Sequence, residues 1–161
     1  MKKYFCFSII LFVLVSCEED VRFNNPSFQG VLDNVFWRAG VSTASLGPDG
    51  SLVIEAYTRN EVITLKTTST ILGTYPLGSR TEDIASYAVK EANSTLTFST
   101  GLAKGNGQIV INQYDTINRT ISGVFKFKAE SSSTNPLGST FVNFQQGVFY
   151  KVPISAPKLV D

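Results

Sequence analysis

The stretch from Gln108 to Ala129 constrains the fold more than any other part of the chain. Ile121, Gly123, Phe125 and Phe127 fall on one face of an extended backbone, and Ser122, Val124, Lys126 and Lys128 fall on the other. Side chains alternate across a strand, so this period of two reads as a strand with one buried and one mostly wet face. Before it, Ile109 and Ile111 alternate with Val110 and Asn112, and Asp115 to Arg119 supplies a turn. Such a hairpin has to cover its apolar face with a second layer.

The rest of the chain speaks the same language. Phe28 to Leu32 and Val35 to Ala39 flank Asp33-Asn34, two residues that tolerate positive φ, which predicts a tight hairpin. Trp37 shares a face with Val35 and Ala39 and is expected in the core. Val41 to Leu46 is a weaker strand, and Gly47-Pro48-Asp49-Gly50 is a strong turn signal. Strands are expected at 51–57 and 62–67. The segment 72–78 is extended but contains Pro76, which places it on an edge or a bend. Residues 79–85 read as a polar loop with room for one helical turn. Strands at 87–90 and 94–100 follow, then a connection over 101–107 that contains three glycines. After a Ser-rich loop over 130–140, the segments 141–145 and 147–152 read as a last hairpin. About ten short strands with no helix in the mature chain predict an antiparallel β-sandwich, with a lipocalin-like closed β-barrel as the alternative. One β domain is expected over 28–153, and residues 154–161 read as a C-terminal tail.

The amino-terminal residues concern location rather than fold. Lys2 and Lys3 precede Tyr4 to Val15, an uncharged apolar run of twelve residues. A helix needs about 20 apolar residues to span a bilayer, so the run is too short to cross and fits the apolar region of a signal peptide. It ends in Leu14-Val15-Ser16-Cys17, which resembles the lipobox of bacterial lipoproteins. The resemblance implies cleavage between Ser16 and Cys17 and lipidation of Cys17, with 1–16 as the signal peptide. Two or more acyl chains hold a protein durably where one does not. Glu18, Glu19 and Asp20 follow at once, and Cys-Glu-Glu-Asp resembles the acidic export signal of Bacteroidota lipoproteins. That implies an outer-membrane, surface-exposed protein, the alternative being one that faces the periplasm. Residues 17–27 then form the lipidated cysteine and a flexible tether.

Loss of Lys2 and Lys3 takes the formal charge from +1 to −1. A near-neutral domain lacks the basic patch that nucleic acid requires, so no nucleic-acid partner is expected. Of the two cysteines, Cys6 leaves with the signal and Cys17 is the lipidation site, so the domain folds without a disulfide. The chain has no histidine. Histidine triads and His- or Cys-based metal centres are thereby excluded, and neither a metal nor a cofactor is expected. Calcium at Asp49 or at Glu82-Asp83 would need a loop with several oxygen ligands in register, which the sequence lacks.

The acids available for paired-carboxylate chemistry are Glu55, Glu61, Glu82, Asp83, Glu91 and Asp115. Most sit in expected turns, and no catalytic residue is assigned. Tyr75, beside Pro76, and Tyr114, near a loop, are the tyrosines expected to be exposed and able to contact a ligand. Asp115-Thr116-Ile117 resembles the short motif at which Bacteroidota O-glycosylate exported proteins, which makes Thr116 a candidate modification site at a hairpin tip.

In their order along the chain, Asp33 to Ala39, Gly73 to Leu77, Gly107 to Ile111, Asp115 with Asn118, Thr120 to Phe125 and Gly147 to Phe149 resemble a family of uncharacterised Bacteroidota lipoproteins with a domain of unknown function. That resemblance brings no activity with it. The expectation is a lipid-anchored, non-enzymatic envelope protein that binds a protein or a glycan. An immunity or inhibitor-type lipoprotein is the alternative, and a carboxylate-dependent hydrolase stands third.

Overall fold

The computed structural model describes residues 27–92, 94–132 and 139–155. Ser16, Cys17, Glu18, Glu19 and Asp20 lie outside them. The first hairpin is β1 (Ser27–Leu32) and β2 (Val35–Arg38). Asp33 and Asn34 turn it with φ of 47° and 68°, the pair of left-handed conformations that matches the twist of a two-residue hairpin. β3 (Val41–Leu46) and β4 (Leu52–Tyr57) flank the Gly47–Gly50 turn, where Gly50 donates its N–H to the Gly47 carbonyl at 3.0 Å. β5 (Glu61–Thr67), β6 (Gly73–Leu77), β7 (Ile84–Lys90) and β8 (Thr95–Ser99) follow. The long strands close the chain: β9 (Asn106–Asp115), β10 (Thr120–Ser131) and β11 (Phe141–Ser155).

Hydrogen bonding runs in the order β2-β1-β11-β3-β4-β5-β7-β8-β10-β9-β6, with a further ladder between β10 and β11. That ladder folds the order into two layers. One is β2-β1-β11-β10-β9-β6, the other β3-β4-β5-β7-β8. They are stitched at two corners, where Glu130 and Ser131 of β10 pair with Ser99 and Phe98, and where Ile154 and Ser155 of β11 pair with Ala44 and Ser45. The second corner is parallel, so the sheet is mixed rather than wholly antiparallel. Through the β10–β11 ladder the order β11-β3-β4-β5-β7-β8-β10 returns on itself, while β1 and β2 on one side and β9 and β6 on the other lie outside that ring, with β2 and β6 as terminal strands. Among the described residues there is no helix, and 79–83 form an irregular loop.

The core lies between the layers. Leu52, Ile54 and Ala56 of β4 and Ile63 and Leu65 of β5 belong to one buried cluster with Phe125, Phe127, Phe144 and Phe149 of the other layer. Trp37 is buried as expected and stands edge-on to Phe28 and Phe144, with ring centroids 6.1 and 5.7 Å apart. Pro76 sits on terminal strand β6, where a missing N–H costs no ladder bond.

The end of the chain departs from the expected hairpin and tail. Residues 141–152 are not a hairpin but part of the single strand β11, which continues past Pro153 into what the sequence presented as tail. Its inward residues are Val142 and Phe144, then Gly147 and Phe149, then Val152 and Ile154. The phase slips twice because β11 bulges twice against β10. Gln145 and Gln146 oppose Lys126 alone, and Tyr150 and Lys151 oppose Ser122 alone. An extra residue in one strand resets its alternation and bends it. Gln146 and Lys151 absorb the geometry with φ of 50° and 48°, and Ser122 Oγ accepts the Lys151 N–H at 2.9 Å.

Candidate functional site

Two polar arrangements stand out from this frame. The first spans the layers. Glu61, at the start of β5, accepts hydrogen bonds from Trp37 Nε1 at 2.8 Å, Thr58 Oγ1 at 2.9 Å and the Tyr87 hydroxyl at 2.5 Å. Trp37 belongs to one layer and Tyr87 to the other, so the carboxylate ties β2 to β5 and β7. Burial, reinforced by the bond to Glu61, pushes the Tyr87 phenol far above its ordinary range. Both Glu61 oxygens are occupied, which makes this carboxylate a strut rather than an open acid or base.

The second is the outer face of the β9-β10-β11 layer. Across it runs a register row from Arg38 through Gln29, Val148, Val124 and Val110 to Thr74. Beside that row the first β11 bulge parts the strands, and a groove of about 420 Å³ opens there. Its walls carry Lys126, Lys128, Asn106 and Asn143 together with Gln145 and Gln146. The buried Phe127 and Phe144 close its floor. A second trough of about 310 Å³ shares Lys126 and Gln146 with the first and is lined by Val124 and Val148, which are 38% and 36% exposed. No carboxylate lines either groove. The acid further along β10, Glu130, accepts the Gly105 N–H at 3.0 Å. Lys128 Nζ lies 3.9 Å from the centroid of the Phe141 ring, which is 43% exposed. The arrangement offers amide donors and acceptors, two ammonium groups and a strip of apolar contact, and holds no acid–base pair.

The residues singled out from sequence fall elsewhere. Tyr75 and Tyr114 are half-buried and pack against the core instead of standing free. The Tyr75 hydroxyl is 2.8 Å from Ser69 Oγ and donates to the Ile71 carbonyl at 2.7 Å, so it braces the β5–β6 loop. Their strands alternate inward at these positions, which proximity to Pro76 or to a loop does not reveal. Thr116 is exposed in the β9–β10 turn. Beside it, Asp115 is occupied by the turn itself: its carboxylate accepts the N–H groups of Ile117 and Asn118 and the Asn118 side-chain amide, at 2.9, 2.9 and 2.7 Å. Those bonds hold its carboxyl below the ordinary carboxylate range.

None of the six candidate acids lines either groove. Asp83 is buried and accepts the Thr68 N–H at 2.9 Å, and Glu91 accepts the Ser94 hydroxyl at 3.2 Å. Asp49 is bound to the Ser51 hydroxyl at 2.6 Å, which lowers its pKa. The N–H of Glu82 itself and the Thr81 hydroxyl lower that of Glu82. Glu55, on β4, is bonded to Tyr57, whose phenol is raised first by burial and then by that carboxylate. Among the described residues no group of three or more His, Cys, Asp and Glu side chains could hold a metal ion.

Residues 24–153 match a domain of unknown function, DUF6252. The chain belongs to the DUF6252 family. None of the curated proteins and none of the solved structures matches it. In this DUF6252 domain the grooved face was hidden from sequence reasoning because it depends on the β11 bulge. The one local signal is the pair Gln145-Gln146 interrupting an apolar alternation with no turn-forming residue other than Gly147.

Proposed function

We propose that this DUF6252 protein is a lipid-anchored component of a bacterial cell envelope, tethered through Cys17, whose β domain binds a glycan or a protein and does not catalyse a reaction. The observation that carries the binding reading is the groove at the β11 bulge, an open surface with six polar side chains and no carboxylate. A shallow trough of amides and amines suits recognition of a polar, extended partner, whereas a small lipophilic ligand calls for an enclosed apolar cavity. The anchor rests on Lys2-Lys3, the apolar run and Leu14-Val15-Ser16-Cys17, and the outward orientation on Glu18-Glu19-Asp20. Thr116, exposed on its turn, is proposed as an O-glycosylation site.

Protease shaving of intact cells tests location, with Cys17→Ala as the lipidation control. Cleavage of the wild-type domain on intact cells, and loss of the Cys17→Ala chain from the membrane fraction, is the expected pair of results. A domain that survives until the outer membrane is breached overturns surface exposure and favours a periplasmic partner, including one that an immunity-type protein would neutralise. A Cys17→Ala chain that stays in the membrane fraction overturns the anchor. Intact-mass measurement of wild type against Thr116→Ala decides the modification.

A further inference from the structure

The charge and geometry of the grooved face define the ligand more narrowly than a glycan or a protein. Lys126 and Lys128 stand two residues apart on the outer side of β10, so their stems leave the sheet about 7 Å apart. Among the described residues the Lys126 side chain has no hydrogen-bond or ion-pair partner, and Lys128 lies over the Phe141 ring. The register sets Lys126 opposite Gln108 and Lys128 between Asn106 and Asn143, so the cross-strand neighbours of both lysines on these ladders are neutral amides. A solvated face of a near-neutral protein ordinarily mixes both signs; here two cations and their amide neighbours share a trough from which acids are missing.

The bulge supplies a second, independent observation. Gln146 holds a φ of 50° although it has a side chain, in a conformation where glycine carries no penalty. The effect of the bulge is to turn Gln145 and Gln146 outward together, side by side at the groove. Bulges often re-aim side chains at sites of recognition, and strain kept at one position is a reason to look for a ligand there. Side-chain amides donate and accept at once, which matches the vicinal hydroxyls of a sugar, and the adjoining Val124 and Val148 offer an apolar bed for its C–H face.

We infer that the groove between β10 and β11 binds an anionic polysaccharide of the uronate class, with Lys126 and Lys128 pairing with carboxylates and Gln145, Gln146 and Asn143 hydrogen-bonding to hydroxyls. This rests on the reading of the domain as a binding module and deepens it by naming the ligand class. No covalent step is involved.

The test is calorimetric titration of the full chain, extracted from its membrane in detergent, with a panel of uronate oligosaccharides. These are oligogalacturonate, oligoalginate and hyaluronan fragments, set against methyl-esterified oligogalacturonate and neutral maltooligosaccharide. At least one uronate is expected to bind, with affinity falling as salt rises. Loss of the charge, by esterification or in the pair Lys126→Gln with Lys128→Gln, weakens binding about tenfold or more. Gln146→Gly, which removes the side chain and suits the backbone, keeps the fold and weakens binding. If esterified and neutral sugars bind as well as the acids, the uronate assignment fails while the binding-module reading stands. If a single-stranded oligonucleotide competes as well as the uronates, the face is a general anion surface and the glycan assignment fails. If no saccharide binds while circular dichroism shows a folded domain, the glycan assignment for the groove fails. The broader binding reading then rests on a protein partner alone.

Discussion

Removing the Glu61 side chain should cost more stability than any other single polar change in the domain. Three donors converge on its carboxylate, from Trp37, Thr58 and Tyr87. Hydrogen bonds to a charged group contribute roughly 1.5–3 kcal/mol each. Glu61 and Thr58 are only half-buried, so water can rescue part of the loss, and Glu61→Leu is expected to destabilise by about 3–5 kcal/mol. Glu61→Gln should be far milder, about 1–2 kcal/mol, for a reason that depends on the donors. The indole N–H can only donate, and the amide oxygen can receive it. The Tyr87 hydroxyl can reverse and accept from the amide nitrogen. Urea denaturation followed by the fluorescence of Trp37, the single tryptophan, reads both the stability and the indole bond. Equal costs for the Leu and Gln variants, or a cost below about 1 kcal/mol for Leu, would refute the strut. In a Tyr87→Phe background Glu61→Leu should cost about 1–2 kcal/mol less than in wild type, since one donor is already gone.

The remaining predictions concern pH and packing. Because folding raises the Tyr87 phenol above its unfolded value of 10.0, the stability it contributes is complete below that pH and declines as pH rises beyond it. Urea midpoints measured up the alkaline range should fall more steeply for wild type than for Tyr87→Phe. Asp115 is lowered from 3.8, so its turn bonds contribute above that pH and fade as acid protonates it. A carboxyl NMR titration should find Asp115 below its ordinary value in wild type and closer to it in Asn118→Ala. Gly123→Ala would set a Cβ 2.1 Å from the Val110 carbonyl oxygen and 2.4 Å from Phe149 Cζ, so β9, β10 and β11 would have to part. A loss of at least about 3 kcal/mol, measured by thermal melting, is expected, and a variant as stable as wild type would contradict the packing described.

How much of this was legible depended on the range of the interaction. Turn chemistry is local, and Asp33-Asn34, Gly47 to Gly50 and the edge position of Pro76 could each be read from a few residues. The hairpin around Asp115 was legible for the same reason, since its alternation repeats over enough positions to fix the buried face. The Glu61 strut was not: its partners Trp37 and Tyr87 lie 24 and 26 residues away, and Glu61 itself stands at a strand start that looks like loop. The half-buried state of Tyr75 and Tyr114 is not legible locally, because neighbouring Pro and turn residues suggest exposure, while inward or outward direction is set by strand phase. Phase was also what hid β11. Two slips in fifteen residues, one ending in glycine, imitate a hairpin unless the strand is threaded against β10.

The same slips bear on why the grooved face exists. To keep β11 packed on β10 while it reaches the corner with β3, the strand must bend, and a bulge supplies the bend. Glycine at the bulge would do this with least strain, as it does at other positions of this chain where φ is positive. At position 146 the chain instead carries glutamine in the left-handed region, a conformation costing an ordinary residue roughly 1–2 kcal/mol. The Gln146 side chain is exposed at the groove and is not part of the buried core. Lys151, at the other bulge, has its N–H bound by Ser122 and its backbone fixed by that bond. Among the described residues no side-chain hydrogen bond of that kind reaches Gln146. A Gln146→Gly domain at least as stable as wild type in urea denaturation is the expected result, and one clearly less stable would refute the strain argued at this bulge.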